Sequence, residues 1–204
     1  MEQKKMEKIA GGLNRFLKVV KIVNLVSGIF ALCGLAILMI GYAINPNGIV
    51  EPSVHTLGFG NLSIEILQGQ PQSTAVYVFY HAFLILNLLT GLFLLYLVCG
   101  ALQKILVKIV DGEPFHRSIS DNIRKIAYVS LLWGIGDQLF QWIFDYFDFR
   151  YFGAEQLAQS EMIQSVNFTY RVNLWFLAGF FLLLLISHIF RYGSELQQLS
   201  DETL

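Results

Sequence analysis

Charge is what this chain has least of. Of its 204 residues only 14% are Asp, Glu, Lys or Arg, against 55% hydrophobic. A soluble domain carries about 25% charged residues, so an ordinary soluble globule is excluded. The mean hydropathy of +0.55 points the same way. Cysteine is nearly absent: only Cys33 and Cys99 occur. Helix rise places them roughly 15 Å apart in depth, too far for a disulfide, so both are expected to pack as small apolar residues. Catalytic motifs are missing too. The chain has no His-x-Glu pattern, Cys pair, Gly-rich phosphate loop or nucleophile elbow. His55, His81, His116 and His188 are scattered without metal-ligand spacing. An enzyme, a resident cofactor, a metal site and direct nucleic acid binding are therefore not expected.

What is present is length of apolar run. A helix needs about 20 apolar residues to cross the hydrocarbon core. Four candidates occur at 22–43, 76–102, 126–144 and 172–190, and only the third holds a charged residue, Asp137. The runs do not alternate, which excludes a β-barrel. The first exceeds a signal-peptide core of about 7–15 residues, so it reads as a span that is not cleaved.

Lys and Arg give the loops their sides. The N-terminal segment has Lys4, Lys5, Lys8, Arg15, Lys18 and Lys21, and the middle loop region has Lys104, Lys108, Arg117, Arg124 and Lys125. Residues 45–75 have none, and the loop after the third run has only Arg150 and Arg171. The positive-inside rule then puts both termini and the middle loop in the cytoplasm. Trp142, Tyr146, Tyr151 and Phe152 suit an aromatic belt at the outer boundary. The expected fold is an all-α membrane protein: one domain over 1–204, four transmembrane helices, both ends inside.

Smaller features refine that picture. Met6, Ile9, Leu13, Phe16 and Val20 recur at helical spacing among lysines, as do Leu102, Ile105, Leu106 and Ile109. Both read as amphipathic segments at an anionic lipid surface, or equally as plain helix ends with snorkelling lysines. Leu62, Ile64 and Ile66 alternate with Ser63 and Glu65, and Gly58-Phe59-Gly60-Asn61 supplies a turn. A small outer β-hairpin over 53–67 is expected. Asn61-Leu62-Ser63 and Asn167-Phe168-Thr169 match glycosylation sequons, which have meaning only outside bacteria. Ser27, Ala31, Gly34 and Gly41 form a small-residue seam suited to close helix packing, with homo-oligomerisation as its less favoured use.

The third run carries the sharpest polar pattern. Ser130, Gly134, Asp137, Gln141 and Asp145 share one helical face. Asp137 lies about 18 Å from the cytoplasmic edge by helix rise. Insertion of an acid there costs about 2.5–3.5 kcal/mol, which makes it a candidate intramembrane polar site. The structural reading is a neutral Asp137 hydrogen-bonded to Asn87 on the second run. The functional alternative is a small transporter or ion-conducting protein titrating Asp137.

Two basic-side segments go beyond generic membrane chemistry. One is Gly112-Glu113-Pro114-Phe115, followed by Asn122-Ile123-Arg124-Lys125-Ile126. The other is Phe190-Arg191-Tyr192-Gly193 with Leu196-Gln197 and the end Asp201-Glu202-Thr203-Leu204. Ser118 or Ser120 is expected to cap the third helix, with Asp121 near its positive end. With four runs around them, these segments resemble the bacterial membrane family catalogued as domain of unknown function 2975. Its members show a Gly-x-Pro-Phe turn before the third helix and a Phe-Arg-x-Gly…Leu-Gln…Asp-x-Thr tail. The resemblance implies a multi-pass protein of the bacterial cytoplasmic membrane with no established biochemical role. Members often lie beside a small helix-turn-helix regulator, which implies a non-enzymatic regulatory or sensing role. The candidate motif for a cytoplasmic partner is then Gly112, Pro114, Phe115, Arg191, Gly193, Leu196, Gln197, Asp201 and Thr203.

Overall fold

Long unbroken apolar runs with few helix breakers dictate long helices, and the computed structural model shows them. It describes the backbone of residues 2–50, 54–59, 62–67, 72–151 and 172–202, and the side chains of 9–48, 74–147, 172–200 and 202. The helices are α1 (Glu2–Ile44), α2 (Thr74–Val110), α3 (Arg117–Tyr151) and α4 (Trp175–Glu202). Between α1 and α2 run β1 (Ile49–Val50), β2 (Val54–Phe59), β3 (Leu62–Leu67) and β4 (Gln72–Ser73). β1 pairs antiparallel with β4, and β2 with β3.

The expected fold class needs correcting. Three helices among the described residues are long and apolar enough to cross a membrane, within Ile9–Ile44, Thr74–Val110 and Trp175–Ser200. The fourth expected span, in α3, falls short. Asp137, Gln138 and Gln141 crowd the middle of its apolar run and lower its hydropathy. No strand occurs among the residues whose side chains are described, so the β-hairpin expected over 53–67 adds nothing to that helical part. Residues 49–73 carry backbone ladders only. Residues 152–171, which include Phe152 and Asn167, together with Asn61 and Thr203, lie outside the described residues.

Of the two readings of the amphipathic segments, the structure has them as helix ends continuous with the apolar runs. The first is the beginning of α1 and the second the end of α2. The protein-facing line of α1 is distinct from its apolar interfacial one. Ala10, Leu17 and Asn24 are buried, whereas Ile9, Leu13 and Phe16 are exposed. The extensive exposed apolar surface of α1, α2 and α4 is what lipid-facing helices present, since lipid imposes no penalty on it.

The chain divides into two compact units. Unit 1 contains residues 1–29, 89–136 and 173–204; unit 2 contains residues 30–88 and 137–172. Small side chains set the packing of unit 1. Cys99, Ala101, Ile119, Ser120, Ile123, Ala127 and Ser187 are its buried centre. Gly91 exists for Trp133: a Cβ there would come within 2.7 Å of the indole Cη2. Gly134 likewise receives the ring of Phe176, and a Cβ at that position would overlap Phe176 Cγ.

In unit 2 the core is aromatic. Phe83 meets Phe140 at 4.7 Å and Phe144 at 5.2 Å between ring centroids, and Tyr80 meets Phe144 at 5.7 Å. Edge-to-face and tilted pairs of this kind add about 0.5–1.5 kcal/mol beyond area burial. Of the small-residue seam, Ala31 and Gly34 are half-buried, and a Cβ on Gly34 would lie 4.0 Å from Ile85. Gly41 is exposed with open space beside it.

Candidate functional site at the turn between α2 and α3

A backbone device ends α2. Gly112 has φ +79°, a left-handed conformation that costs a side-chain-bearing residue about 1–2 kcal/mol. Glu113 N–H donates to the Lys108 carbonyl at 3.1 Å and Gly112 N–H to the Ile109 carbonyl at 3.2 Å. This is the paired 6→1 and 5→2 closure of a Schellman motif. Lys108 Nζ then donates to Glu113 Oε2 at 2.8 Å, clamping the same two residues through their side chains. The ammonium holds the Glu113 carboxyl below the usual carboxylate range, first through that hydrogen bond and then through charge.

The start of α3 differs from expectation. Neither Ser118 nor Ser120 is the cap. Backbone N–H of Ser118 donates to His116 Nδ1 at 3.1 Å, and Ser118 Oγ lies 2.7 Å from the same nitrogen. His116 immediately precedes Arg117, so its ring satisfies one of the helix's orphan donors. Ser120 is occupied elsewhere. Its Oγ donates to the Ser187 carbonyl at 2.8 Å, and Ser187 Oγ donates to the Ser120 carbonyl at 2.9 Å. This reciprocal pair is fully buried and ties α3 to α4. Asn122, also buried, donates from Nδ2 to the Ser118 carbonyl at 2.7 Å.

These two anchors bring the two motif segments together. Phe115 stands against α4, 6.0 Å from Phe190 between ring centroids. A Cβ at Gly193 would reach 2.7 Å from Phe115 Cδ1, so glycine is what lets the ring lie close to the helix. α4 continues through Gly193 to Glu202, and Arg191 Nε donates to Glu195 Oε1 at 3.1 Å one turn on. Beside this contact is an open cleft of about 500 Å³. It is lined by Glu113, Phe115, His116 and Arg117 from the turn, and by Arg191, Glu195, Gln197 and Glu202 from α4. Arg117 of the basic loop lines the cleft together with Glu195 and Glu202 of the tail, whereas Arg124 and Lys125 do not line it.

Other expected site residues fall elsewhere. Leu196 is exposed rather than set in the cleft. Asp201 is described in backbone only and Thr203 not at all. Asp137 does not pair with Asn87. Its Oδ2 accepts from Gln141 Nε2 at 2.8 Å, one turn along the same helix, and the contact is exposed. Asp137 is half-buried, Asp145 is exposed, and the buried polar residue of that stretch is Gln138. The expected stripe faces inward at Gly134, where Phe176 packs, while Gln141 and Asp145 further along it are exposed. Among the described residues no group of three His, Cys, Asp or Glu side chains is placed to hold a metal.

No protein-family model matches the chain, and no curated protein or solved structure matches it either.

Proposed function

We propose that the protein is a non-enzymatic regulatory membrane protein that engages a cytoplasmic protein partner through the cleft between the α2–α3 turn and the end of α4. One observation carries this reading: two segments about 80 residues apart in sequence meet through the Phe115–Gly193 contact and frame a concave surface. That surface offers both charge signs, amides and an aromatic ring 44% exposed. Exposed aromatics with charged neighbours are what protein interfaces favour. The basic residues of this side support a cytoplasmic location under the positive-inside rule. The segments that touch are also the ones that carry the resemblance to the 2975 family, and that resemblance is the ground for proposing a bacterial cytoplasmic membrane.

A photoreactive residue placed at Gln198 in native membranes tests the proposal. We expect one discrete crosslinked protein that is absent when the probe sits at lipid-exposed Leu185. Gly193→Leu, which displaces the Phe115 ring, should remove that crosslink while membrane insertion continues. Equal crosslinking in Gly193→Leu and in a chain lacking residues 194–204, probed from Arg117, would overturn it.

A further inference from the structure

A second concave surface in unit 1 has a different character. It is a cleft of about 630 Å³ where α1, α2 and the first turns of α3 converge. Lys18 and Lys21 enter from α1, and Lys104 and Lys108 from α2, with Gln103 and Asn122 among the polar neighbours and no carboxylate in its lining. Among the described residues, Lys108 alone of the four has a carboxylate partner, Glu113. Lys21 donates to Gln103 Oε1 at 3.3 Å and lies 4.3 Å over the Tyr96 ring, partners that hold the ammonium without cancelling its charge. Gly100 gives it room, since a Cβ there would lie 3.8 Å from Lys21 Nζ. Neither Lys18 nor Lys104 has a carboxylate partner among the described residues.

Position and charge together identify what such a cleft takes. Lys21 immediately precedes the apolar run that begins at Ile22 and Lys18 lies three residues before Lys21, while Gln103 and Lys104 immediately follow the run that ends at Leu102. The cleft therefore lies where hydrocarbon gives way to headgroups. Snorkelling lysines diverge into water; here four from two helices line one hollow. Like charges gathered there repel, and an anion among them relieves that repulsion. One turn deeper on the Lys21 face of α1, Asn24 Nδ2 is buried without a hydrogen-bond partner. We propose that this lysine cleft binds the phosphate of an anionic lipid headgroup.

The test uses the full chain purified in mild detergent, with retention of added lipid measured by native mass spectrometry. Phosphatidylglycerol should be retained and phosphatidylcholine should not, because choline cancels the phosphate charge. Lys18→Gln with Lys104→Gln should weaken phosphatidylglycerol retention on the order of tenfold or more. The corresponding double Arg variant should keep it, and Lys125→Gln, outside the cleft, should leave it unchanged. Both altered lysines are exposed, and circular dichroism confirms that the helices persist. Equal retention by wild type and the double Gln variant overturns the site. So does an equal loss in Lys125→Gln, which would mean general charge alone. Inorganic phosphate binding as tightly as the lipid, with the same lysine dependence, overturns the lipid in favour of a soluble anion.

Discussion

Ser120 and Ser187 each donate a hydroxyl hydrogen bond to the other's backbone carbonyl, at 2.8 and 2.9 Å, with no solvent exposure to speak of at either residue. Two hydrogen bonds thus cross between α3 and α4 at a contact where small side chains bring the backbones close. In membrane bundles interhelical hydrogen bonds average about 0.6 kcal/mol and reach about 1–2 kcal/mol. Each single Ser→Ala change at 120 or 187 should cost about 1 kcal/mol in reversible unfolding in mixed micelles. The double variant should cost less than the sum, because the Oγ atoms also lie 3.1 Å apart and act as one unit. Strict additivity would show that the two hydroxyls are independent. Ser187→Leu should cost more than either, since the site has no room for the larger side chain.

Glycines in α3 separate packing from helix propensity. A Cβ on Gly134 meets Phe176 near its own backbone, whereas a Cβ on Gly136 meets nothing within 4 Å. Gly134→Ala should therefore destabilise by about 1–3 kcal/mol through overpacking. Gly136→Ala should stabilise by up to about 1 kcal/mol, as alanine for glycine in a helix does. Thermal unfolding monitored by the Trp133 and Trp175 fluorescence distinguishes the pair. Equal shifts in both would mean that Phe176 yields freely.

Gly112 has a backbone reason rather than a packing one. Its φ of +79° leaves open space around the missing Cβ. Gly112→Ala should cost about 1–2 kcal/mol through strain alone, and Gly112→Asn less, because asparagine tolerates the left-handed region. Chemical denaturation of the two variants side by side reads the difference. Equal cost in both would point to a lost contact instead.

How far the chain could be read ahead of its structure depended on the kind of signal. α1, α2 and α4 were legible because apolar length alone decides them. The turn at Gly112 was legible because Asp-Gly-Glu-Pro cannot continue a helix. α3 was misread for a physical reason. Its polar residues outnumber what one face needs, so a stripe through Asp137, Gln141 and Asp145 looks as regular as the buried line through Ile119, Ile123 and Ala127. Steps of four from Ile119 would have found that line. The Ser120–Ser187 pair carried no signal, since two serines 67 positions apart are unremarkable until packing joins them. His116 carries no cap signal in the sequence because serine, present just after it at 118 and 120, is the commoner choice.

The Lys108–Glu113 clamp makes the α2 terminus sensitive to acid. The folded-state value of the Glu113 carboxyl is lowered, so the ionised form is favoured by folding. A lowered carboxylate contributes stability that is complete above its unfolded value and is lost as pH falls through the folded one. The local order of the turn should therefore be constant through neutral pH and should decline only in the acid range. Glu113→Gln should flatten that decline while leaving the Schellman backbone bonds in place. Both side chains are solvent-exposed, so the effect should be small and should shrink further in high salt. Hydrogen exchange of the Gly112 and Glu113 amides as a function of pH is the direct measurement. An acid response in Glu113→Gln equal to that of the wild type would assign the sensitivity to a group other than the Glu113 carboxylate.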